Sequence, residues 1–201
     1  MILAILQARL SSTRLPGKVL KPILGTPMIV RQIERIQRSK RTDQLVVATS
    51  VDPSDDPLVT ELRERGIEVR RGPLNDVVAR FEQVIDEFRP QSVVRLTADC
   101  PLTDALVIDT VIDSHRSSGS DYTSNTLQPT YPDGLDVEVF TYPAFARLVA
   151  LQLTAREREH VTLGVYGRPS DFTLTSVTQE VDRSDLRWTV DVAAEIGRAH
   201  V

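Results

Sequence analysis

Up to about residue 117, short unbroken apolar runs alternate with amphipathic stretches. Met1 to Leu6 is apolar throughout and of strand length; Gln44 to Thr49 (QLVVAT), Ile67 to Arg70 and Ser92 to Leu96 (SVVRL) repeat the type. Such runs suit strands buried on both faces. The stretches between them carry helical spacing. Val77, Val78, Phe81, Val84, Ile85 and Phe88 recur at that spacing before Pro90, and Leu58, Val59 and Leu62 do so before Gly66, a C′ residue. Leu106, Val107, Ile108, Val111 and Ile112 follow Asp104, which reads as an N-cap. Pro27 to Gln37 predicts one more helix, with its proline in the first turn. Strand and helix in this order predict an α/β fold: a three-layer, Rossmann-like, mostly parallel sheet with helices on both faces.

The pattern changes after Gly119. Asp136 to Phe140 (DVEVF) alternates, as an exposed or antiparallel strand does, and Ala144 to Leu153 is helical in spacing. Phe172 to Val177 and Arg187 to Val190 read as two later strands. Residues 1–195 are expected to form one domain, with a small β/α appendage around 130–170. Asp191-Val-Ala-Ala-Glu opens a terminal helix, but little more than one turn of chain follows. The last six residues, Ile196-Gly-Arg-Ala-His-Val, also match what one reading frame of a common sequencing adapter encodes. Residues 196–201 are therefore expected to be foreign, with the gene continuing past them; a short natural terminus is the alternative.

Composition narrows the function classes. A chain of 201 residues and 22.4 kDa is one domain of ordinary size, and 41% apolar with 26% charged residues suits a globular core. No apolar run approaches the roughly 20 residues of a membrane helix, so no membrane span is expected. The opening MILAILQARLSSTR has no basic n-region before its apolar stretch and does not read as a secretion signal. The lone Cys100 rules out an internal disulfide framework and fits a reducing, cytoplasmic setting. A net charge of −4 and only 5% aromatics argue against a dedicated nucleic-acid binder.

The densest chemistry follows the first apolar run: Gln7-Ala-Arg9-Leu-Ser11-Ser12-Thr13-Arg14-Leu-Pro16-Gly17-Lys18. In open α/β sheets, ligands bind at the carboxyl ends of the strands. Two guanidinium forks, a lysine point charge and three hydroxyls supply the fixed cations and donors a polyphosphate needs, and Gly17 lets the backbone come close. The glycine spacing matches neither a Walker loop nor a GxGxxG turn. A solvated basic loop is the alternative reading.

QARLSSTRLPGKVL followed by Gly25-Thr-Pro27-Met28-Ile29 resembles the opening of the cytidylyltransferase superfamily, which makes CMP-activated acidic sugars such as CMP-Kdo and CMP-sialate. The branch it resembles most is the one related to spore-coat polysaccharide biosynthesis. The resemblance runs on through Arg71-Gly72, Asp76-Val77, Arg80-Phe81, Asp99-Cys-Pro-Leu102, Gly134-Leu-Asp-Val-Glu138, Arg158-Glu-His-Val-Thr162 and Leu186-Arg-Trp-Thr-Val-Asp191. It implies a nucleotide-diphospho-sugar transferase type of sheet. The implied reaction is CTP plus a sugar acid of 2-keto-3-deoxy or nonulosonate type giving CMP-sugar and pyrophosphate. Mg²⁺ is the implied cofactor, and a homodimer through the appendage the implied assembly. A related transferase using another nucleotide, and a nucleotide-binding module without turnover, are the competing readings. A glycosyltransferase would more typically carry a DxD motif, which Thr97-Ala98-Asp99 is not.

The resemblance implies roles residue by residue. Arg9, Lys18 and Asp99 would be catalytic. Leu6, Ala8, Arg9, Ser12, Arg14, Lys18, Arg71 and Arg80 would meet the nucleotide, with backbone groups around Leu6–Ala8 near the base. Asp136, Arg158 and His160 would meet the acceptor. Asp99 and Asp191 each follow an apolar run, so one rim of a sheet can bring them together, and two carboxylates with phosphate oxygens make the hard-oxygen set Mg²⁺ prefers. Asp99 lies in ADCP where the Kdo branch has a second acidic residue, a departure that bears on the acceptor rather than the metal. The plainer alternatives are a turn aspartate before proline and an N-cap. Asp76 and Arg80 also have the spacing of an i,i+4 pair, and His160 that of a helix C-cap. Cys100 reads as a packing residue, His115 as a residue on a solvated helix face, Trp188 as core, and His200 falls in the suspect tail.

Overall fold

The computed structural model describes residues 1–197; residues 198–201, with His200 and most of the segment expected to be foreign, lie outside them. The chain opens with β1 (Ile2–Gln7), whose five leading residues are all buried. After the basic loop come a short ribbon of β2 (Pro22–Ile23) and β3 (Thr26–Pro27), then α1 (Met28–Ile36). Next are β4 (Gln44–Ser50), α2 (Asp56–Glu64), β5 (Val69–Gly72), α3 (Val77–Phe88), β6 (Ser92–Thr97) and α4 (Ala105–Ser118). The second half holds β7 (Tyr122–Ser124), β8 (Glu138–Thr141), α5 (Tyr142–Val149), α6 (Ala155–Glu159), α7 (Leu163–Tyr166), β9 (Leu174–Ser176) and α8 (Ala193–Ile196).

Seven strands form one sheet in the order β5-β4-β1-β6-β8-β7-β9. β8 runs against both its neighbours, and every other pairing in the sheet is parallel. Alternation along β1 divides the core: Ile2, Ala4 and Leu6 pack with α1, α2 and α4, whereas Leu3 and Ile5 pack with α3, α5 and α7. The result is three layers. Each fully buried Leu, Ile or Val is worth about 1.5–3 kcal/mol, so β1, buried on both faces, is the anchor of the sheet. Among the described residues no helix is long and apolar enough to cross a membrane.

The early elements lie where the periodicity puts them, with small shifts that have local causes. Asp104 caps α4 through the Leu106 N–H at 2.7 Å. β5 starts at Val69 rather than Ile67, because left-handed Gly66 lets the Ile67 N–H return to the Leu62 carbonyl at 3.0 Å and close α2. The segment 130–170 supplies β8 and α5 to α7. β8 is antiparallel as its alternation suggested, but it is buried rather than exposed because it lies between β6 and β7.

Three expectations are corrected. His115 is buried, not solvated: its imidazole lies between the Ser92 and Thr123 hydroxyls at 3.1 Å each, and burial lowers its pKa. Arg187–Val190 is not a strand but an extended segment that joins Asp133 through one bridge. Trp188 is 37% exposed rather than core. The segment's backbone pairs only around Asp133 and packs directly on Gly134, where a Cβ at φ +108° would stand 2.8 Å from the Trp188 carbonyl carbon. Cys100 is buried, as a packing residue should be.

Candidate active site

β1 and β6 are neighbours in register, with Gln7 opposite Thr97. Both chains leave the sheet at the same rim, and the Ala98 N–H donates to the Gln7 carbonyl at 3.1 Å. Arg9 and Asp99 therefore emerge side by side. This is the point where the crossovers reverse direction about β1, the crevice in which open α/β sheets take ligands.

The basic loop closes on Leu10, whose carbonyl accepts from the Ser12 N–H at 2.8 Å and from the Gly17 N–H at 2.9 Å. Gly17, at φ +70°, makes the return that sends Lys18 inward. The Leu10 N–H is in turn held at 2.6 Å by Asp55. The Asp55 carboxylate is fully buried and also accepts from Thr49 and Ser50. Sequence reading did not single out Asp55.

The Lys18 ammonium is buried and holds the two carboxylates together. It donates to Asp191 at 3.0 Å, to Asp99 at 3.4 Å and to the Val190 carbonyl at 2.9 Å. Asp191 also pairs with Arg14 at 2.8 Å and with Arg187. Burial disfavours ionised Asp99, but the Lys18 charge, with hydrogen bonds at Thr97 and Cys100, outweighs it and holds the carboxyl below its ordinary range. The Val190 N–H donates to the Asp99 carbonyl at 2.8 Å, so the extended segment that failed to become a strand is what carries Asp191 to the rim.

Arg9, Arg14, Lys18, Asp99 and Asp191 wall a cleft of about 290 Å³ that also includes Ala8, Ser12, Arg80, Arg95, Glu159 and His160. A second chamber of about 400 Å³ adjoins it across Arg95 and His160, which line both; Asp136, Glu138, Thr162 and Tyr166 are among its other walls. Asp136 lies in this chamber with its pKa pushed up to about 6, first by burial and then by the Asp133 and Glu138 carboxylates.

Of the residues singled out from sequence, Ala8, Arg9, Ser12, Arg14, Lys18, Arg80, Asp99, His160 and Asp191 come to the first cleft, and Asp136 to the second. Leu6, Arg71 and Arg158 line neither. Leu6 is fully buried in the β1 ladder. Arg71 donates to the Ser50 carbonyl at 2.7 Å and pairs with Asp56 at 2.7 Å. Arg158 pairs with Asp76 at 2.8 Å, which ties α6 to the start of α3. Asp76 caps α3 through the Ala79 N–H, and Arg80 donates to the Pro73 and Leu74 carbonyls, so no Asp76–Arg80 pair forms. His160 is also the C-cap residue of α6. Sequence reading missed Arg95, whose signal was available: one guanidinium inside an apolar strand needs a buried partner. That partner is Glu138, directly opposite it across β6 and β8.

A mostly parallel sheet with a basic loop on its first strand and paired carboxylates at the rim defines a nucleotide-binding α/β enzyme. The chain belongs to the cytidylyltransferase family, whose family model matches residues 3–188. The spore coat polysaccharide biosynthesis protein SpsF of Bacillus subtilis (strain 168) is 37% identical over 173 residues, 84% of this chain and 71% of SpsF. A cytidylyltransferase structure from Leptospira borgpetersenii serovar Hardjo-bovis (strain JB197) superposes with a TM-score of 0.93 at 30% identity, covering 99% of this chain and 84% of that one. A CMP:2-keto-3-deoxy-manno-octonic acid synthetase complexed with CTP shares the fold, with a TM-score of 0.73 at 16% identity over 99% of this chain and 96% of that one.

Proposed function

We propose that this chain transfers the cytidylyl group of CTP to a hydroxyl of a sugar acid of 2-keto-3-deoxy or nonulosonate type, releasing pyrophosphate, to supply surface-polysaccharide precursors. One observation carries the reading: the carboxylates Asp99 and Asp191, far apart in sequence, meet at the buried Lys18 ammonium of the first loop at the sheet rim, where Arg14 of the same loop also reaches Asp191. The CTP held by the octonic acid synthetase of the same fold supports the choice of nucleotide.

The acceptor hydroxyl attacks the α-phosphorus, the bond to the β-phosphate oxygen breaks, and the hydroxyl proton is released. Such a step is accelerated by position and by fixed opposite charge. Arg9, Ser12 and Arg14 face the cleft and would bind the triphosphate. The Lys18 ammonium would meet the charge that grows on the departing pyrophosphate. Among the described residues no three His, Cys, Asp or Glu side chains gather as a metal cage. Two carboxylates at one point nevertheless fit Mg²⁺, which is bound by one or two carboxylates together with substrate phosphates and water. Asp99 and Asp191 would hold it, and it would supply Lewis-acid charge on the phosphate oxygens. The second chamber, opening beside the first, would take the acceptor.

Pyrophosphate release with each of the four nucleoside triphosphates tests the proposal, together with calorimetry of CTP binding. The expected result is release with CTP over UTP, GTP and ATP, reduced about 10²–10³-fold in Lys18→Ala and Asp99→Asn. Full turnover in either variant, or binding of CTP with no release for any sugar acid, refutes it.

A further inference from the structure

α1 turns Met28, Ile29, Ile33 and Ile36 to the core, and one polar residue, Gln32, is fully buried among them. A methionine would fill the same space with no amide to satisfy, and among the described residues the Gln32 Oε1 has no hydrogen-bond partner. The Nε2 is engaged twice: it donates to the Thr97 carbonyl at 2.9 Å and to the Thr103 hydroxyl at 3.0 Å. Thr97 ends β6, and Thr103 precedes Asp104, the cap of α4. One amide thus spans both ends of the turn that carries Asp99. The Thr103 hydroxyl donates in turn to the Cys100 carbonyl at 2.7 Å, and Arg35 of α1 donates to the Thr103 carbonyl at 2.9 Å. The same helix braces the other side of the site. The Met28 N–H donates to the Lys21 carbonyl at 2.9 Å, and the Lys21 N–H to the Lys18 carbonyl at 3.1 Å. α1 is therefore a common base for the Lys18 turn and the Asp99 turn.

We propose that Gln32 is a positioning residue for Asp99: by spanning the turn from β6 to α4, it sets where that carboxylate stands relative to Lys18 and Asp191. The orphaned Oε1 costs stability that an apolar side chain would not, so the amide serves geometry rather than packing. The consequence for turnover rests on the transfer reading above, whereas the local hold on the turn does not. A displacement of about 1 Å at a reacting centre can cost on the order of 100-fold in rate, so a turn held at both ends matters to such a site.

Cys100 supplies the probe. It is the single cysteine of the chain, it is buried in this turn, and its thiol donates to the Asp99 carboxylate at 3.4 Å. Its rate of labelling by dithiobis(nitrobenzoate), followed from zero to low urea, shows whether the turn opens by itself or only with the whole fold. In the unaltered chain, labelling is expected to rise with urea along the unfolding equilibrium. In Gln32→Met it is expected to be about 10-fold faster without urea and nearly flat at low urea, the mark of local opening. A merely structural role predicts acceleration only in proportion to lost global stability. Thr103→Val removes the other end of the contact and is expected to behave alike, which keeps the test decisive should Gln32→Met fail to fold. In pyrophosphate release, kcat is expected to fall about 10–100-fold in either variant with the KM for CTP unchanged, because the loop from Arg9 to Lys18 is left intact. Unchanged labelling, acceleration that follows the global unfolding curve, or an undiminished kcat overturns the inference. If labelling changes as expected and the unaltered chain releases no pyrophosphate from CTP, the transfer reading fails alone.

Discussion

Replacing Asp136 by Asn should make the ligand-free protein more stable near neutral pH, although the residue lines the site. Asp136 is held at a pKa of about 6 against an ordinary 3.8 by burial and by Asp133 and Glu138. The folded state therefore binds its proton more tightly than the unfolded chain does. The folding contribution of the protonated form is complete below about pH 4 and is lost as pH rises through about 6. A displacement of about two pH units at 1.36 kcal/mol each amounts to ~3 kcal/mol of lost stability once the group is ionised. Partial access of water to the side chain makes this an upper figure. Asparagine has nearly the same shape and no charge to desolvate. Urea unfolding of both proteins, repeated from about pH 4 to pH 8, isolates the effect, because every other titrating group is common to the pair. The expected difference is near zero at the acid end and reaches about 1–3 kcal/mol in favour of Asp136→Asn at the alkaline end. A difference that does not change with pH, or a variant no more stable at pH 8, refutes the reasoning. Stability surrendered for a charged group in a site is a common trade in enzymes.

Lys18→Gln removes the ammonium between Asp99 and Asp191. The chain should lose about 3–5 kcal/mol of stability by chemical unfolding, as broken buried pairs do, and Mg²⁺ should restore part of it by answering the same two carboxylates. Chelation should abolish pyrophosphate release and added Mg²⁺ should recover it, with Asp99→Asn needing more of the ion; release that survives chelation in a coupled assay speaks against the metal. Gly134→Ala would drive a Cβ to 2.8 Å from the Trp188 backbone at a φ of +108°. It should cost about 1–3 kcal/mol and also depress turnover, because the displaced segment ends at Asp191; a variant with unchanged thermal midpoint and turnover contradicts that role.

Much of the scaffold was legible because buried parallel strands announce themselves as apolar runs and their helices as a 3.6-residue period. β1, β4 and β6 and the cap at Asp104 were read within a residue or two. His115 shows a signal left unused: Ile108, Val111, Ile112 and His115 share one helical face, so the imidazole belongs with the buried residues. Trp188 and the 187–190 segment had no such signal, since a backbone packed against Gly134 leaves no periodic trace. β7 is only three residues long and held no readable alternation. In the site, local chemistry was visible and neutralisation was not. Arg71 and Arg158 resemble Arg9 and Arg14 in sequence and all four meet carboxylates, but Glu159 and Asp191, the partners of Arg9 and Arg14, line the cleft, whereas Asp56 and Asp76, the partners of Arg71 and Arg158, do not.

The sequence by itself determined the alternation of elements, the cation-rich turn after the first strand and the stock of carboxylates, all of which follow from periods and turns within a few residues. Tertiary structure decided which of those charges remain available. Lys18 reaches Asp191 and Arg95 stands opposite Glu138 only because strand register and one extended segment bring distant residues together. Whether a charge is free or neutralised depends on the pair across space, and no periodicity along a single element encodes it.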